Sequence, residues 1–275
     1  MTLRDTGGGL LPAGEGIALG YAWYALQGFA EPAEALLPRL RGAGFTLVET
    51  PRFAESEHRA RLADAGLGLG AALTAIGSVD EARRGFDAAA AAGAAWVRCK
   101  LLSPHHPAAA VAAVLDAIEA KRDELALPTF IETHRDTATQ DLAATADLLA
   151  VRPHLRLTLD VSHWRLGGDW PATPRTPREA ERRALVLERV ASLHLRVSDG
   201  ERVQVPLTSP YAAAITAACA TWAEAIAGWR ARAPQGALLP VIAELLPPPY
   251  AEVDHAGRET TDRWQESIEL ARRIR

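Results

Sequence analysis

The sequence predicts a single (β/α)8 barrel, in which residues 1–275 form one domain. Candidate strands and helices alternate strictly along the chain, eight times, and this pattern favours parallel strands joined by right-handed crossovers. Eight such units in roughly 250 residues match the size of a closed barrel. The segments that leave the last three strands are long, as expected where a barrel builds its site. An open doubly wound sheet is the alternative, but the glycine-rich phosphate turn expected after its first strand is absent.

Four strands are predicted in the first half of the chain, at 17–23, 45–49, 67–73 and 96–101. Helices are predicted at 31–41 and 55–65, and a capping box of Ser78 and Glu81 predicts a third helix that ends near residue 92. The next helix carries an apolar stripe at helical spacing: Val111, Val114, Leu115 and Ile118. Residues before Ile17 are predicted to be an irregular lead-in. Gly68 and Gly70 indicate a tight packing point within the third strand.

Four further strands are predicted in the second half, at 130–132, 155–160, 193–197 and 239–244. Capping boxes at 137–140 and 176–179 predict that helices begin there, the first of them directly after the fifth strand. The sixth strand is expected to lead into a long loop that contains Gly167 and Gly168. Ser209 and Pro210 open another helix, and a closing helix runs to Arg275.

Composition narrows the class of protein. Hydrophobic residues make up 48% of the chain and charged residues 23%, which is typical of a globular protein. The net charge of −4 and the lack of a basic block disfavour a nucleic-acid partner. Cys99 and Cys219 are too few for a disulfide framework, so we expect reduced thiols and a cytoplasmic location. We also expect no signal peptide and no membrane span.

Four ionisable residues fall at the last position or so of separate strands: Glu132, Asp160, His194 and Glu244. On a barrel these positions ring one mouth, where three carboxylates and an imidazole would repel each other unless a cation is present. This donor set suits Mn²⁺, Mg²⁺, Co²⁺ or Zn²⁺, and the lack of cysteine ligands argues against a structural zinc site. Taken singly, each residue has an ordinary interpretation as a helix cap, a turn residue or a surface group.

Other strand ends supply weaker candidates. For Trp23 the favoured interpretation is packing at the barrel mouth, and for Lys100 a half-exposed partner in a salt bridge. Glu49 and His106 are likewise interpreted as structural. His134 is predicted to point to the same side of its strand as Glu132. The loops after strands six and eight are predicted to shape the pocket through apolar and aromatic residues: Trp164, Trp170, Pro247 to Pro249 and Tyr250.

These motifs resemble the xylose isomerase-like TIM barrel superfamily, and more narrowly its sugar isomerase and epimerase branch. The resemblance is carried by Glu-Thr-His-Arg at 132–135, Asp-x-x-His at 160–163, Leu-His-Leu-Arg at 193–196 and Ala-Glu at 243–244. Its motifs are specific in the second half of the chain and not in the first.

The resemblance implies a divalent metal, with Mn²⁺ favoured, held by Glu132, Asp160, His194 and Glu244. Glu132 and Glu244 would also act as the acid–base pair, moving protons through a metal-stabilised enediolate of a ketose or hydroxy-keto substrate. Five residues are candidates for contacting that substrate: His163, Arg196, Arg202, His134 and Trp23. The resemblance also implies a possible homo-oligomer.

Other functions stay open from the sequence. A metal-dependent dehydratase or lyase could use the same intermediate, and a non-catalytic sugar-binding barrel would keep the fold. A glycoside hydrolase could use Glu132 and Glu244 as its two carboxylates, but Asp160 and His194 would then have no role. An apurinic-site endonuclease would want more histidines and a basic groove.

Overall fold

Eight parallel strands close into a barrel in the computed structural model, which describes residues 3–4 and 16–274. The strands are β1 (Ile17–Ala22), β2 (Leu47–Thr50), β3 (Gly68–Leu73), β4 (Trp96–Cys99), β5 (Thr129–Glu132), β6 (Leu157–Leu159), β7 (Val190–Leu195) and β8 (Ala237–Ala243). Strand β8 closes the ring because it pairs with both β7 and β1, with Val241 opposite Leu193 and Ile242 opposite Gly20. The predicted (β/α)8 fold is confirmed.

Nine α-helices lie within the described residues. They are α1 (Leu37–Gly42), α2 (Ser56–Asp64), α3 (Val79–Ala91), α4 (Ala108–Glu124), α5 (Leu142–Val151), α6 (Val161–Leu166), α7 (Pro177–Arg189), α8 (Ala212–Arg232) and α9 (Arg263–Arg273). Three short 3-10 helices cover Trp23–Leu26, Ala33–Leu36 and Ser209–Tyr211. The end of the predicted closing helix, Arg275, lies outside the described residues.

Two of the three predicted capping boxes form. Ser78 Oγ accepts from the amide of Glu81 at 3.2 Å, and Thr176 Oγ1 accepts from the amide of Glu179 at 3.1 Å. In a capping box the glutamate side chain also accepts from the amide of the cap residue, here Ser78 or Thr176. Instead, Glu81 accepts from the amide of Gly77 and Glu179 from the amide of Arg175, one residue earlier in each case. Each glutamate thus anchors the residue before the cap and fixes the angle at which the chain enters the helix.

The prediction that β5 turns at once into a helix is wrong. Thr137 does not cap a helix; its hydroxyl accepts from the amide of Thr139 at 3.2 Å and so closes a turn. Helix α5 starts later, at Leu142, where Asp141 accepts from the amide of Ala144 at 2.7 Å. A loop therefore leaves β5 and carries His134 and Arg135 at the barrel mouth.

The segment after β6 is also different from the prediction. Instead of a long loop, helix α6 follows directly, and Asp160 is its N-cap, accepting from the amide of Ser162 at 3.0 Å. A carboxylate at a helix N-terminus is stabilised by the free amides there. The cap fixes the Asp160 side chain at the mouth of the barrel.

Glycine allows close packing between β3 and β4, as the sequence predicts. Gly70 lies opposite Trp96, and a Cβ at position 70 would lie 2.1 Å from the indole ring. The buried indole covers the glycine backbone, so a larger residue could fit only if the ring moved.

Part of the predicted irregular lead-in is ordered. Leu3–Arg4 form a two-residue strand that pairs antiparallel with Leu238 and Ala237 of β8. Across residues 3–4 and 16–274, no helix combines the length and the apolar character that a membrane crossing requires. Cys99 and Cys219 are both free thiols.

Candidate functional site

Four ionisable side chains from neighbouring strands meet at the carboxyl-terminal mouth of the barrel. Glu132 is the last residue of β5, Asp160 follows β6, His194 lies near the end of β7, and Glu244 follows β8. All four are buried, and one possible ligand atom from each lies within 4.8 Å of the others. Parallel strands explain this, because their carboxyl ends share one rim.

His194 is at the centre of the cluster. Its Nδ1 lies 2.8 Å from Glu244 Oε2 and 3.7 Å from Glu132 Oε1, whereas its Nε2 lies 3.3 Å from Glu49 Oε1. Burial alone would lower the pKa of His194, but the carboxylates of Glu244 and Glu49 outweigh it and hold that pKa well above its ordinary value. Glu49 is therefore a buried partner of the central imidazole, a contact that its interpretation as a structural residue did not predict.

Two buried arginines hold the acids in place. Arg98 of β4 donates from Nε to Glu49 at 2.8 Å and from Nη1 to Glu132 at 2.6 Å. Arg196 donates to Asp160 and lies 3.2 Å from Glu244 Oε2. The cation that four neighbouring acids require is thus supplied in part by the protein itself.

Arg98 was missed by the sequence reasoning, although a signal for it was present. Arg98 and Lys100 are two residues apart at the end of β4, so both point to the same side of the strand. Two cations facing the interior of a barrel indicate buried acidic partners or a bound anion.

Arg196 also organises the residues after β6. Its Nε lies 3.1 Å from Ser162 Oγ, and its Nη2 lies 3.0 Å from His163 Nε2. Because a guanidinium only donates, His163 Nε2 must accept, and the ring proton sits on Nδ1. Burial lowers the pKa of His163 to about 2, so this imidazole is neutral.

The acids that contact Arg196 remain ionised. Burial would raise the pKa of Asp160, but Arg196 outweighs it and holds that pKa below its ordinary value. Burial opposes ionisation of Glu244 in the same way, and His194 and Arg196 hold its pKa well below the usual range. These carboxylates are available as anionic ligands.

A cleft of about 370 Å³ opens over the cluster. Of the described residues that line it, only Glu132 and Glu244 are acidic, so Asp160 and Glu49 lie behind the wall. The basic lining residues are Arg98, Lys100, His134 and Arg196. On the β8 side the wall comes from residues 246–250, which agrees with the prediction for Pro247 to Pro249 and Tyr250.

Lys100 and His134 form a pair on the β4–β5 side of the cleft. Lys100 Nζ lies 3.1 Å from His134 Nε2, and His134 Nδ1 is hydrogen-bonded to the carbonyl of Arg135. Burial lowers the pKa of both side chains. Lys100 is half-exposed, as predicted, but the predicted salt bridge is wrong, because the hydrogen-bond partner of its ammonium is a histidine.

Several predicted pocket residues lie elsewhere. Trp23 is buried outside the cleft, with its ring edge-on to His58 at 4.4 Å, and Tyr24 and Gln27 line the cleft instead. Arg202 is exposed and paired with Asp199 and Glu252. Its position shows that Arg202 cannot replace Arg196 at the cluster.

His163 and two tryptophans also lie behind the cleft wall. The ring of His163 is 3.9 Å from that of His134, which separates it from the cleft. Trp164 and Trp170 are core residues whose indole nitrogens donate to Thr139 and Thr221. The two tryptophans therefore do not shape the pocket, contrary to the prediction. His106 is exposed, as expected for a residue outside the site.

The cluster fits a divalent cation. His194 Nδ1 and Glu244 Oε2 are buried and 2.8 Å apart, yet neither has a hydrogen-bond partner of acceptable geometry. The neighbouring carboxylates favour a proton on this ring, and an ion that took the place of that proton would have both Nδ1 and Oε2 as ligands. Four carboxylates face two guanidinium groups, and once an ion replaces the proton on His194, two formal negative charges remain for an ion such as Mn²⁺ or Mg²⁺ to balance.

A second group of possible ligands overlaps the first: Glu132, His134 and His163. Its imidazoles are already engaged, because His134 Nε2 faces the ammonium of Lys100 and His163 Nε2 accepts from Arg196. A metal ion would have to displace two cations from these nitrogens, so this group is the less favourable site.

Comparison with known proteins identifies the fold. No protein-family model and no curated protein sequence matches the chain. Solved structures do match. A xylose isomerase-like TIM barrel protein from Mycobacterium smegmatis, in complex with magnesium, is 17% identical with a TM-score of 0.52 and covers 94% of this chain and 97% of its own. The chain has the xylose isomerase-like TIM barrel fold.

Two other solved structures are similar over comparable lengths. A probable 3-DHS dehydratase, AsbF, from Bacillus anthracis is 13% identical with a TM-score of 0.58, and covers 93% of this chain and 98% of its own. An AP endonuclease of family 2 from Brucella melitensis is 12% identical with a TM-score of 0.55, and the match covers 82% of this chain and 92% of the endonuclease chain. At this identity the likeness establishes the shared fold and not a shared reaction.

Proposed function

We propose that the protein is a divalent-metal-dependent isomerase or epimerase of a ketose or other hydroxy-keto compound. Glu132, Asp160, His194 and Glu244 would hold the ion, with Mn²⁺ favoured. One structurally similar protein was solved in complex with magnesium, which supports a divalent ion as the cofactor. Proton transfer next to a carbonyl is the reaction that these residues support best.

One observation carries the proposal: the two acidic residues that line the cleft, Glu132 and Glu244, face the same imidazole nitrogen. They lie 3.7 Å and 2.8 Å from His194 Nδ1 and come from β5 and from the end of β8. A substrate in the cleft would therefore have a carboxylate on either side. Asp160 and His194 do not line the cleft, which suits residues that act only as ligands.

Proton transfer would depend on two glutamates and on the two arginines that orient them. A bound divalent ion supplies Lewis acidity, which polarises a carbonyl and acidifies the neighbouring C–H bond. One glutamate removes that proton, and the other returns a proton to the opposite face or to the adjacent carbon. Arg98 and Arg196 keep Glu132 and Glu244 oriented. General acid–base catalysis of this kind contributes about 10²–10⁴-fold per group.

Deuterium exchange tests the proposal. The protein is incubated with Mn²⁺ and a panel of ketoses and hydroxy-keto acids in D₂O, and exchange at carbon is followed by NMR. We expect Glu132→Gln and Glu244→Gln each to reduce exchange by about 10²-fold or more, because each removes a proton-transfer group. The matched control is Glu57→Gln, since Glu57 is an exposed residue of α2.

The outcomes are distinct. Circular dichroism establishes that each variant is folded. Full exchange in both cleft variants, or none in the wild type with any compound, would overturn the proposal. Exchange accompanied by loss of water would assign the protein to the dehydratases.

A further inference from the structure

Lys100 is a cation without an acidic partner in a site that is rich in acids. It directly follows β4 and lines the cleft, and among the described residues the only side chain that forms a hydrogen bond with its Nζ is His134, through Nε2 at 3.1 Å. No carboxylate oxygen in the described part of the chain forms a salt bridge with it, because Glu132 and Glu244 are held by Arg98 and Arg196.

The hydrogen bonds of His134 show how many donors of Lys100 are free. His134 Nδ1 donates to the carbonyl of Arg135, so its Nε2 is an acceptor and takes one N–H from the ammonium. An ammonium has three N–H bonds. The other two have no acceptor among the described side chains and are available to a molecule in the cleft.

The charge balance points to the same conclusion. With His194 neutral as a metal ligand, the three carboxylates of the cluster and Glu49 are matched by Arg98, Arg196 and the proposed divalent ion, which together carry four positive charges. Lys100 then adds one positive charge that nothing in the cluster balances. Burial penalises such a charge, and an anion beside it would relieve the penalty.

We propose that Lys100 binds a carboxylate of the substrate, which makes the substrate a hydroxy-keto acid or sugar acid and not a neutral sugar. The proposal rests on the proposed function, because the reacting end of the molecule would lie at Glu132 and Glu244. A single free ammonium suits one monoanionic carboxylate. A phosphate monoester usually recruits several donors, and the two arginines of the cleft are already engaged.

The sequence offers a matched control. Only two of the thirty lysine and arginine residues in the chain are lysines, Lys100 and Lys121. Lys121 lies on helix α4 and pairs with Asp87 and Glu124. Lys100→Met removes the charge with little change in length, and Lys121→Met makes the same change away from the cleft.

Calorimetry with Mn²⁺-loaded protein compares D-gluconate with D-sorbitol, which carries a hydroxymethyl group in place of the carboxylate. We expect gluconate to bind the wild type about 10- to 100-fold more tightly, the gain from one charge-assisted contact. Lys100→Met should abolish the difference and Lys121→Met should retain it. A gluconate preference that survives in Lys100→Met, or is missing in the wild type, would overturn the proposal.

A second measurement needs no variant. Biosynthetic incorporation of lysine labelled with ¹³C at Cε marks both lysines and leaves their N–H groups intact, and NMR reports each separately. Gluconate should shift the Lys100 signal and leave that of Lys121 unchanged, also when a chelator has removed the metal. A larger shift with sorbitol, or with sorbitol 6-phosphate, would exclude carboxylate as the group that is recognised.

The two proposals can fail separately. Lys100-dependent binding of gluconate without deuterium exchange in any compound would overturn the isomerase and leave the carboxylate site standing. Exchange on neutral ketoses that is unaffected by Lys100→Met would overturn the carboxylate site and leave the isomerase standing.

Discussion

At the scale of single residues, Arg98 and Arg196 explain how four acids can be buried together. Each guanidinium bridges two carboxylates from different strands, Glu49 with Glu132 and Asp160 with Glu244. A planar guanidinium with five donors suits such a bridge, whereas an ammonium does not offer the same geometry. Buried ion pairs are rarely a net source of stability, so we infer that this arrangement is retained for the site.

Replacing one of these arginines should therefore be costly. Arg98→Met leaves Glu49 and Glu132 buried without their common partner, and we expect a loss of about 3–5 kcal/mol in the free energy of unfolding, measured by urea denaturation. Arg61→Met is the control. Arg61 forms an exposed pair with Glu57 on helix α2, and its loss should change stability by no more than about 1 kcal/mol. Equal effects in the two variants would show that Glu49 and Glu132 do not need Arg98.

At the scale of elements, strands β3 and β4 show how packing positions the site. Gly70 and Trp96 are opposite each other near the start of the pair, and two residues further along β4 the chain reaches Arg98. The indole seated on Gly70 fixes the spacing of the two strands. The register set there continues to the mouth of the barrel.

A methyl group at Gly70 should disturb this contact. In Gly70→Ala the new Cβ would lie 2.1 Å from the buried Trp96 ring, and overpacking of this kind costs about 1–3 kcal/mol or more. Gly42→Ala, at the end of helix α1, has nothing within 4 Å of its new Cβ and should raise stability by about 0.5–1 kcal/mol. Thermal unfolding of both variants measures the contrast, and a Gly70→Ala protein as stable as the wild type would contradict this account of β3 and β4.

Sequence periodicity and strand ends were sufficient to predict the eight strands and the meeting of Glu132, Asp160, His194 and Glu244. They were insufficient for helix α6, because six residues after a capping Asp160 give too short a periodic pattern. They also failed for Arg202, because position in the sequence does not reveal that Asp199 and Glu252 hold that side chain outside. Arg98 and Lys100 were undervalued because charges on a short strand suggest exposure, and only the closed barrel places buried acids beside Arg98 and a histidine beside Lys100.

At the scale of the whole molecule, the barrel concentrates opposing charges at one rim while the chain as a whole carries only −4. The cluster draws on β2, β4, β5, β6, β7 and β8, so its geometry depends on closure of the ring by β8. A ligand that binds the cluster therefore contacts distant parts of the sequence at once. Such a ligand should stabilise the entire fold and not one segment.

Metal binding should accordingly be visible in global unfolding. At a free ion concentration 100 times its dissociation constant, Mn²⁺ should stabilise the folded state by about 2.7 kcal/mol, which raises the melting temperature by roughly 5 °C or more. A chelator should reverse the shift.

Two buried carboxylates give a matched comparison, because Asp160 and Glu49 both contact an arginine but only Asp160 belongs to the four converging ligands. Asp160→Asn should lose most of the shift. Glu49→Gln should keep most of it, since glutamine still offers an oxygen to His194 Nε2. Equal losses in both variants would mean that the ion responds to the general negative charge of the rim and has no defined site there.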